Sequence, residues 1–410
     1  MNKPKKKKQC WVYNVDTSNL NNLNMNSWFQ SKYLLNGNSA NITFNKSKEN
    51  VMRCHKVYIF PTDEQKDILE TWFNSYCFVY NQTVKYIRQT PNFSFIKLRP
   101  IIWNLLSKEQ TDFIKKIKVP RHTLDNAIKD VVKAYKSAFA NHRKFRIRFK
   151  KQKSPRQTLT LEASAFSKNK NTFCASVFKQ MQTSESIIGI KHDCRLTYNR
   201  TKGTYVLNVP FKKGKTCIKG RRKAIALDPG IRDFQTGYSD SGIYYFGKDT
   251  RNNLEKLHKQ LDNIRSKRMN YRMKKAEIKR NDKIKNLVND LHYKTADYLC
   301  SNFRTIMIGK ISIQSVMSNK NKCKLAAMTK RLGYSLSHFI FRQRLKDRCE
   351  ETGTKYIEVD ERYTSKTCSR CENVKQNLGG SRVYQCNNCN LLINRDVNAA
   401  INIYKRGAGG

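Results

Sequence analysis

Two CxxC pairs, Cys368-Ser369-Arg370-Cys371 and Cys386-Asn387-Asn388-Cys389, stand fourteen residues apart near the carboxyl end of the chain. Four thiolates at this spacing can surround one Zn2+ as a tetrahedron at about 2.3 Å, the closed arrangement of a structural site. Such closure folds 364–392 into a small ribbon and returns both of its flanks to the same place. Redox thiols also use CxxC, but neither pair stands where a thioredoxin-type motif belongs. The other nine of the 13 cysteines are scattered, which is the usage of a reducing compartment.

The flanks of that ribbon carry acids. KYIEVDERYTSKTC, residues 355–368, alternates as a short strand through Ile357 and Val359 and then crowds Glu358, Asp360 and Glu361 together. On the other side, Asp396 opens an amphipathic helix, NRDVNAAINIYKRG, with Val397, Ala400, Ile401 and Tyr404 on one face. Alone, Asp396 would be ordinary helix-dipole complementarity. A third acid, Asp228, ends the apolar strand AIAL just before Pro229-Gly230, and carboxyl ends of buried strands are where α/β sheets place their sites. Carboxylates converging from separate elements repel one another unless a cation sits between them. Mg2+ fits, because it takes oxygen ligands and keeps waters. Two such ions about 3.5–4 Å apart can hydrolyse a phosphodiester.

The rest of the chain is strongly cationic. Lys plus Arg number 81 against 31 Asp plus Glu, a net charge of +50 that favours a nucleic-acid partner. A ribosomal-type or packaging protein would satisfy the charge equally well, so charge names the partner and leaves the task open. KFRIRFKKQ predicts a strand with Phe145, Ile147 and Phe149 on one face and Lys144, Arg146, Lys150 and Arg148 on the other, suited to phosphate contact or to cross-strand carboxylates. No apolar run approaches 18 residues and no signal peptide is visible, which predicts a soluble intracellular protein with no membrane partner. KPKKKK at Lys3–Lys8 reads either as a nuclear address or as a solvated basic terminus.

Periodicity divides the chain. Residues 1–50 are Asn- and Lys-rich without a sustained period, which predicts a largely disordered or loosely attached segment. A strand at 51–60 belongs with a β-rich module at 144–220, and helices fill 61–143, the first opened by a Thr62/Gln65 capping box. Strands alternating with helices then predict an α/β layer over 221–363 and 393–410, with a hairpin at GYSDSGIYYFG and a long basic helix that breaks near Asn281.

Taken in order, ALDPGIRDFQTGYS, the YTSKTCSRC…CNNC ribbon and NRDVNAAINIY resemble the RuvC-like nuclease domain and inserted zinc ribbon of TnpB and its Fanzor relatives. IFPTDEQKDILETWFNSYCFVYNQTVKYIR and HTLDNAIKDVVKAYKSAF extend the resemblance upstream, so that it covers about 52–406. It implies a multidomain α/β protein: a helical recognition bundle, a β-rich wedge-type barrel, and an RNase H-like nuclease domain. It implies an RNA-guided DNA endonuclease, a monomeric ribonucleoprotein that binds guide RNA, reads a short target-adjacent motif in double-stranded DNA and cuts at one site with two Mg2+. Asp228 matches the first catalytic aspartate and Asp396 the last. The family's middle acid, usually a Glu ending the strand here written IMIGKISI, is absent: Gly309 and Lys310 stand there. Either the site is dead, leaving a guide-directed DNA binder, or the carboxylate has moved, as in Fanzors. E-x-Y-T-S-K-T-C selects Glu361 over Glu358 for that role, with Gly309 as the space left for it. An unguided RuvC-like nuclease or transposase accessory protein is a third alternative.

Overall fold

A computed structural model describes residues 12–15, 50–91, 93–106, 112, 118–140, 145–216, 218, 220–310 and 326–409. The described chain divides into two compact units, 52–213 on one side and 214–410 with the segment before 52 on the other. KPKKKK lies outside the described residues.

The 52–213 unit begins with strand β2 (Asn50–Phe60) and helix α1 (Asp63–Gln89). Thr62 caps that helix, its hydroxyl accepting from the Gln65 amide while the Gln65 side chain accepts from the Thr62 amide, the reciprocal box read in the sequence. α2 (Phe95–Asn104) and α3 (Arg121–Ala140) follow. Strands β3 (Arg156–Leu161), β4 (Gln182–Thr183), β5 (Cys194–Asn199) and β6 (Thr204–Gly214) join β2 in a five-stranded sheet ordered β3-β5-β6-β2-β4, so the early strand sits inside the later module. Helices and sheet share one core, with Trp72, Tyr76, Leu98 and Ile128 packed together with Leu159, Phe178, Leu196 and Leu207.

KFRIRFKKQ departs from expectation. Residues 145–150 form no strand and pair with no described strand. Side chains of α1 take over the ladder: Asn81 Nδ2 donates to the Lys150 carbonyl at 2.9 Å, Asn81 Oδ1 accepts from the Lys150 amide at 2.8 Å, and Arg88 donates to the Ile147 carbonyl. The alternation holds only as far as Arg148: Phe145 and Ile147 pack on the core while Arg146 and Arg148 are exposed, but Phe149 is exposed and Lys150 turns inward toward Tyr80 and Asp130.

In the 214–410 unit a mixed sheet of six described strands runs β1-β9-β8-β7-β10-β11. Its members are β1 (Val12–Val15), β7 (Arg222–Pro229), β8 (Gln235–Ser239), β9 (Gly242–Phe246), β10 (Phe303–Gly309) and β11 (Lys355–Val359). β1 lies within the segment expected to be largely disordered or loosely attached, and is an edge strand held by backbone pairing to β9. β8 and β9 form the hairpin, and β7, β10 and β11 lie parallel, with β11 at the edge. One face of the sheet packs on α4 (Thr250–Arg265), α5 (Tyr271–Asn302), α6 (Ala327–Leu336) and α7 (His338–Thr352). The other face packs on α8 (Arg395–Ala408), whose Val397, Ala400, Ile401 and Ile403 lie against Ala224, Ala226, Tyr238 and Met307. The α4–α5 break falls at 266–270 and not near Asn281. Asn270 accepts from the Met273 amide and so caps α5, whereas Asn281 lies mid-helix, just before the buried positions begin at Ile284.

Candidate active site

Because β7, β10 and β11 are parallel, their carboxyl ends lie along one edge of the sheet. β7 is buried from Ala224 to Leu227, the continuous apolar run of a strand covered on both faces, and delivers Asp228 to that edge. The turn after it is tight: a Cβ on Gly230 would lie 2.6 Å from the Asp233 carbonyl oxygen. His338 holds this turn from α7, its Nε2 donating to the Gly230 carbonyl at 3.0 Å while Nδ1 accepts from Gln235 at 3.3 Å. Phe234 stacks on His338 and on His292, ring centroids 5.1 and 5.2 Å apart. Burial pushes both imidazoles down, to about 3 for His338 and about 4 for His292, so both are neutral at physiological pH.

β10 ends at Gly309, opposite Val359 of β11. Beyond Val359 the strand bends, and Asp360 turns outward into a fork with Arg362, Oδ2 accepting from Nε at 2.7 Å. Glu361 turns inward. A Cβ on Gly309 would fall within 2.5 Å of Cγ and Cδ of Glu361 and closer still to its Oε1, so the missing side chain of β10 is the room this carboxylate occupies. Its Oε1 is buried and has no hydrogen-bond partner. Burial pushes the Glu361 carboxyl up to about 7, with Arg342 pulling the other way. Glu358 lies elsewhere: it is exposed, accepts from the Tyr356 hydroxyl at 2.9 Å and stands 4.0 Å from Arg342 Nε.

Asp396 occupies the first turn of α8, where the Asn394 side chain caps the helix by accepting from the Asp396 and Val397 amides. Burial and the nearby charges of Glu361 and Asp396 hold the Asp228 carboxyl well above the usual carboxylate range, Arg395 opposing them. Asp233, which sequence reasoning passed over, joins the group: burial raises its carboxyl, Asp396 adds to the rise, and Arg382 opposes it. Nothing in the spacing of Asp233 marks it; the tight 230–233 turn brings it in.

The donor set fits a hard divalent cation. It is all oxygen, one oxygen is buried without a partner, and burial together with the charges of Glu361 and Asp396 raises Asp228. It is more open than the thiol site, the one group of three or more such donors among the described residues that gathers within 4.8 Å.

That thiol site is Cys368, Cys371, Cys386 and Cys389. The Arg370 amide donates to Cys368 Sγ at 3.4 Å and the Asn388 amide to Cys386 Sγ at 3.4 Å, the same bond in each knuckle. Glu372 and Asn390, each following the second cysteine of its pair, take positive φ of 64° and 54°. Two matched knuckles with all four ligands sulfur fit Zn2+. The ribbon is tied to α8 by a polar stripe unremarked in the sequence reading. Asn398 exchanges bonds with the Ser369 amide and Thr367 carbonyl, Asn402 donates to the Thr364 and Thr367 carbonyls, and Lys405 donates to the Ser369 carbonyl. Positions 398, 402 and 405 fall on one side of a helix, which is the available signal.

Of the candidate nucleic-acid contacts, Arg146 and Arg148 are exposed and Lys144 lies outside the described residues. Lys150 faces inward, its Nζ 4.1 Å from the Tyr80 ring centroid and 4.0 Å from Asp130 Oδ2, a carboxylate that sequence proximity did not reveal.

A family model described as the Cas12f1-like TNB domain matches residues 338–403, and one described as a helix-turn-helix domain matches 51–90. A TnpB-like protein of Acanthamoeba polyphaga mimivirus is 30% identical over 86% of this chain and 72% of its own length. A second from the same virus is 29% identical over 93% of this chain and 82% of its own. A protein of Streptomyces pristinaespiralis assigned as an RNA-guided DNA endonuclease is 23% identical over 88% of this chain and 90% of its own.

Proposed function

The chain belongs to the TnpB-like proteins, and on that basis we propose that it is an RNA-guided DNA endonuclease whose catalytic carboxylates are Asp228, Glu361 and Asp396. The observation that carries this reading is the Glu361 carboxylate seated over Gly309, within electrostatic reach of Asp228. An acid with no role would not be expected to forgo both solvent and a hydrogen bond at this edge, because an unpaired buried carboxylate is costly.

Asp228, Glu361 and Asp396 would hold Mg2+, which when bound supplies an activated water and neutralises charge on a phosphodiester. The sheet ends fix Asp228, the bend after Val359 aims Glu361, and the capped first turn of α8 presents Asp396. His338, neutral and bonded to the Gly230 carbonyl, keeps the turn after Asp228 in one shape. Zn2+ held by Cys368, Cys371, Cys386 and Cys389 closes the ribbon that joins β11 to α8, and so sets the spacing of Glu361 and Asp396. A net charge of +50 suits a complex with guide RNA and target DNA. The wedge-type role of the five-stranded sheet, the reading of a target-adjacent motif, the monomeric state and nuclear residence belong to the same proposal. No described helix is long and apolar enough to cross a membrane.

The test is cleavage of a target plasmid by the purified ribonucleoprotein with Mg2+. Asp228→Ala and Glu361→Ala should each abolish cutting while target binding persists. Normal cutting by Glu361→Ala together with loss in Glu358→Ala would overturn the assignment. Intact plasmid that is tightly bound by the unaltered protein would favour a guide-directed binder.

A further inference from the structure

In the 52–213 unit a pocket of about 350 Å³ opens between α1 and residues 149–158, within the range of roughly 300–1,000 Å³ seen for small-ligand sites. Its lining has two chemistries. Phe73 and Tyr76 form a buried aromatic wall, and Phe149, 47% exposed, stands in the lining beside them. Lys151, Lys153 and Arg156 line the same pocket, are exposed, and pair with no described carboxylate. The nearby acid is already engaged: Asp130 accepts from Arg195 at 2.8 Å and lies 4.0 Å from the inward-turned Lys150. Three cations are thus left facing an aromatic-walled recess.

The recess is held in shape before any ligand arrives. Asn81 clamps the backbone of Lys150 from both sides, and the Cys77 thiol donates to the same carbonyl. The Ser154 amide closes a turn onto the Lys151 carbonyl, and Gln157 donates to the Gln152 carbonyl at 2.8 Å. The Arg88 guanidinium lies 4.2 Å from the Phe149 ring centroid and backs it. A loop fixed at both ends loses little entropy on binding.

Inorganic phosphate would leave the aromatic wall unused, and an apolar ligand would leave the cations unserved. A group combining a flat ring with an adjacent anion satisfies both, and a nucleotide is such a group. We propose that this pocket seats one unpaired nucleotide of a bound strand, its base against the exposed Phe149 ring and its phosphate at Lys151, Lys153 and Arg156. A paired base is stacked on both faces within a duplex, so the pocket selects single-stranded segments. The inference rests on the proposed function only in assuming that guide RNA or target DNA supplies the strand.

The test uses the full chain freed of nucleic acid, with fluorescein-labelled RNA and DNA single strands of matched sequence and the corresponding DNA duplex. Phe149→Ala should weaken single-strand binding about 5- to 150-fold, the loss of about 1–3 kcal/mol for one stacked base, and Phe149→Trp should retain it. Duplex affinity should be unchanged. A loss confined to the RNA strand assigns the nucleotide to the guide, and one confined to DNA assigns it to the target. The proposal is overturned if a folded Phe149→Ala protein, checked by circular dichroism, binds both single strands as the unaltered protein does. It is equally overturned if single strands and duplex weaken together. Because the readout is binding, the Phe149 effect should persist in Asp228→Ala, so failure here and failure of the endonuclease reading are separable.

Discussion

Gly309→Ala isolates the geometry on which the proposed catalysis depends. The new Cβ would stand within 2.5 Å of Cγ and Cδ of Glu361, where ordinary carbon contacts are about 3.5–4 Å, so the carboxylate must withdraw by about 1 Å or more. It lies at the end of a flexible side chain, and its retreat spares the fold; destabilisation should stay at or below the about 1–3 kcal/mol of a mild overpacking. Catalysis has no such tolerance. Misplacing a reacting group by about 1 Å can cost about 100-fold, or about 2.7 kcal/mol of barrier. The expected result is a cleavage rate reduced about 100-fold with a nearly unchanged Tm and unchanged target binding. Single-turnover plasmid cutting by the ribonucleoprotein, run beside thermal unfolding, reads both quantities. Wild-type cutting by Gly309→Ala would refute the claim that Glu361 works from the space above Gly309. Moving the acid back, as Gly309→Glu with Glu361→Gly, should restore part of the lost rate.

Three further outcomes are expected. Cys386→Ser removes one of four thiolates, so zinc content measured by mass spectrometry should fall along with cutting; full activity in a zinc-free preparation would contradict the ribbon's structural role. His292 and His338 have folded values of about 4 and about 3 against an ordinary 6.5, so the unfolded chain binds more protons between these limits. The contribution of these two histidines to the stability of the 214–410 unit is therefore full above about pH 6.5 and falls as the pH drops toward 4, by an amount on the order of a few kcal/mol. The raised carboxyls of Glu361 and Asp228 work in the opposite direction, so the histidine slope is read as the difference between the unaltered protein and His338→Gln. Urea unfolding from pH 7 to 5 should show that difference, whereas an unchanged slope in the variant would count against buried neutral histidine. Finally, Arg146→Ala and Arg148→Ala should each lower the salt dependence of nucleic-acid affinity by about one ion, measured as the slope of log K against log salt, with no loss of Tm; unaltered slopes would remove these residues from the interface.

How much of this was legible in the chain depended on whether the information was local. The four gathered thiols are set by spacing within 22 residues, and Asp228 and Asp396 by the element ends they occupy. Glu361 was legible as one half of a pair, because the empty side chain at Gly309 and the surplus acid near 361 each explain the other, though the turn that separates Glu361 from Asp360 and Glu358 appears only in three dimensions. What escaped was settled by partners far along the chain. The 145–150 segment has a strand's alternation, yet Asn81 and Arg88, some sixty to seventy residues earlier, satisfy its backbone, so no strand need lie beside it. Asn270 and Asn281 are the same residue type, and only the exposure of the first turns of α5 decides which of them caps. Asp233 carries no pattern at all and reaches the site through a turn too tight for any side chain at 230. The acids of such a centre are costly to assemble without a cation, so the fold must hold them against their own repulsion. That is the physical reason why the surrounding scaffold here is so heavily bonded: His338 on the Gly230 carbonyl, Asn394 on the first turn of α8, and Asn398, Asn402 and Lys405 on the ribbon each immobilise one carboxylate-bearing segment.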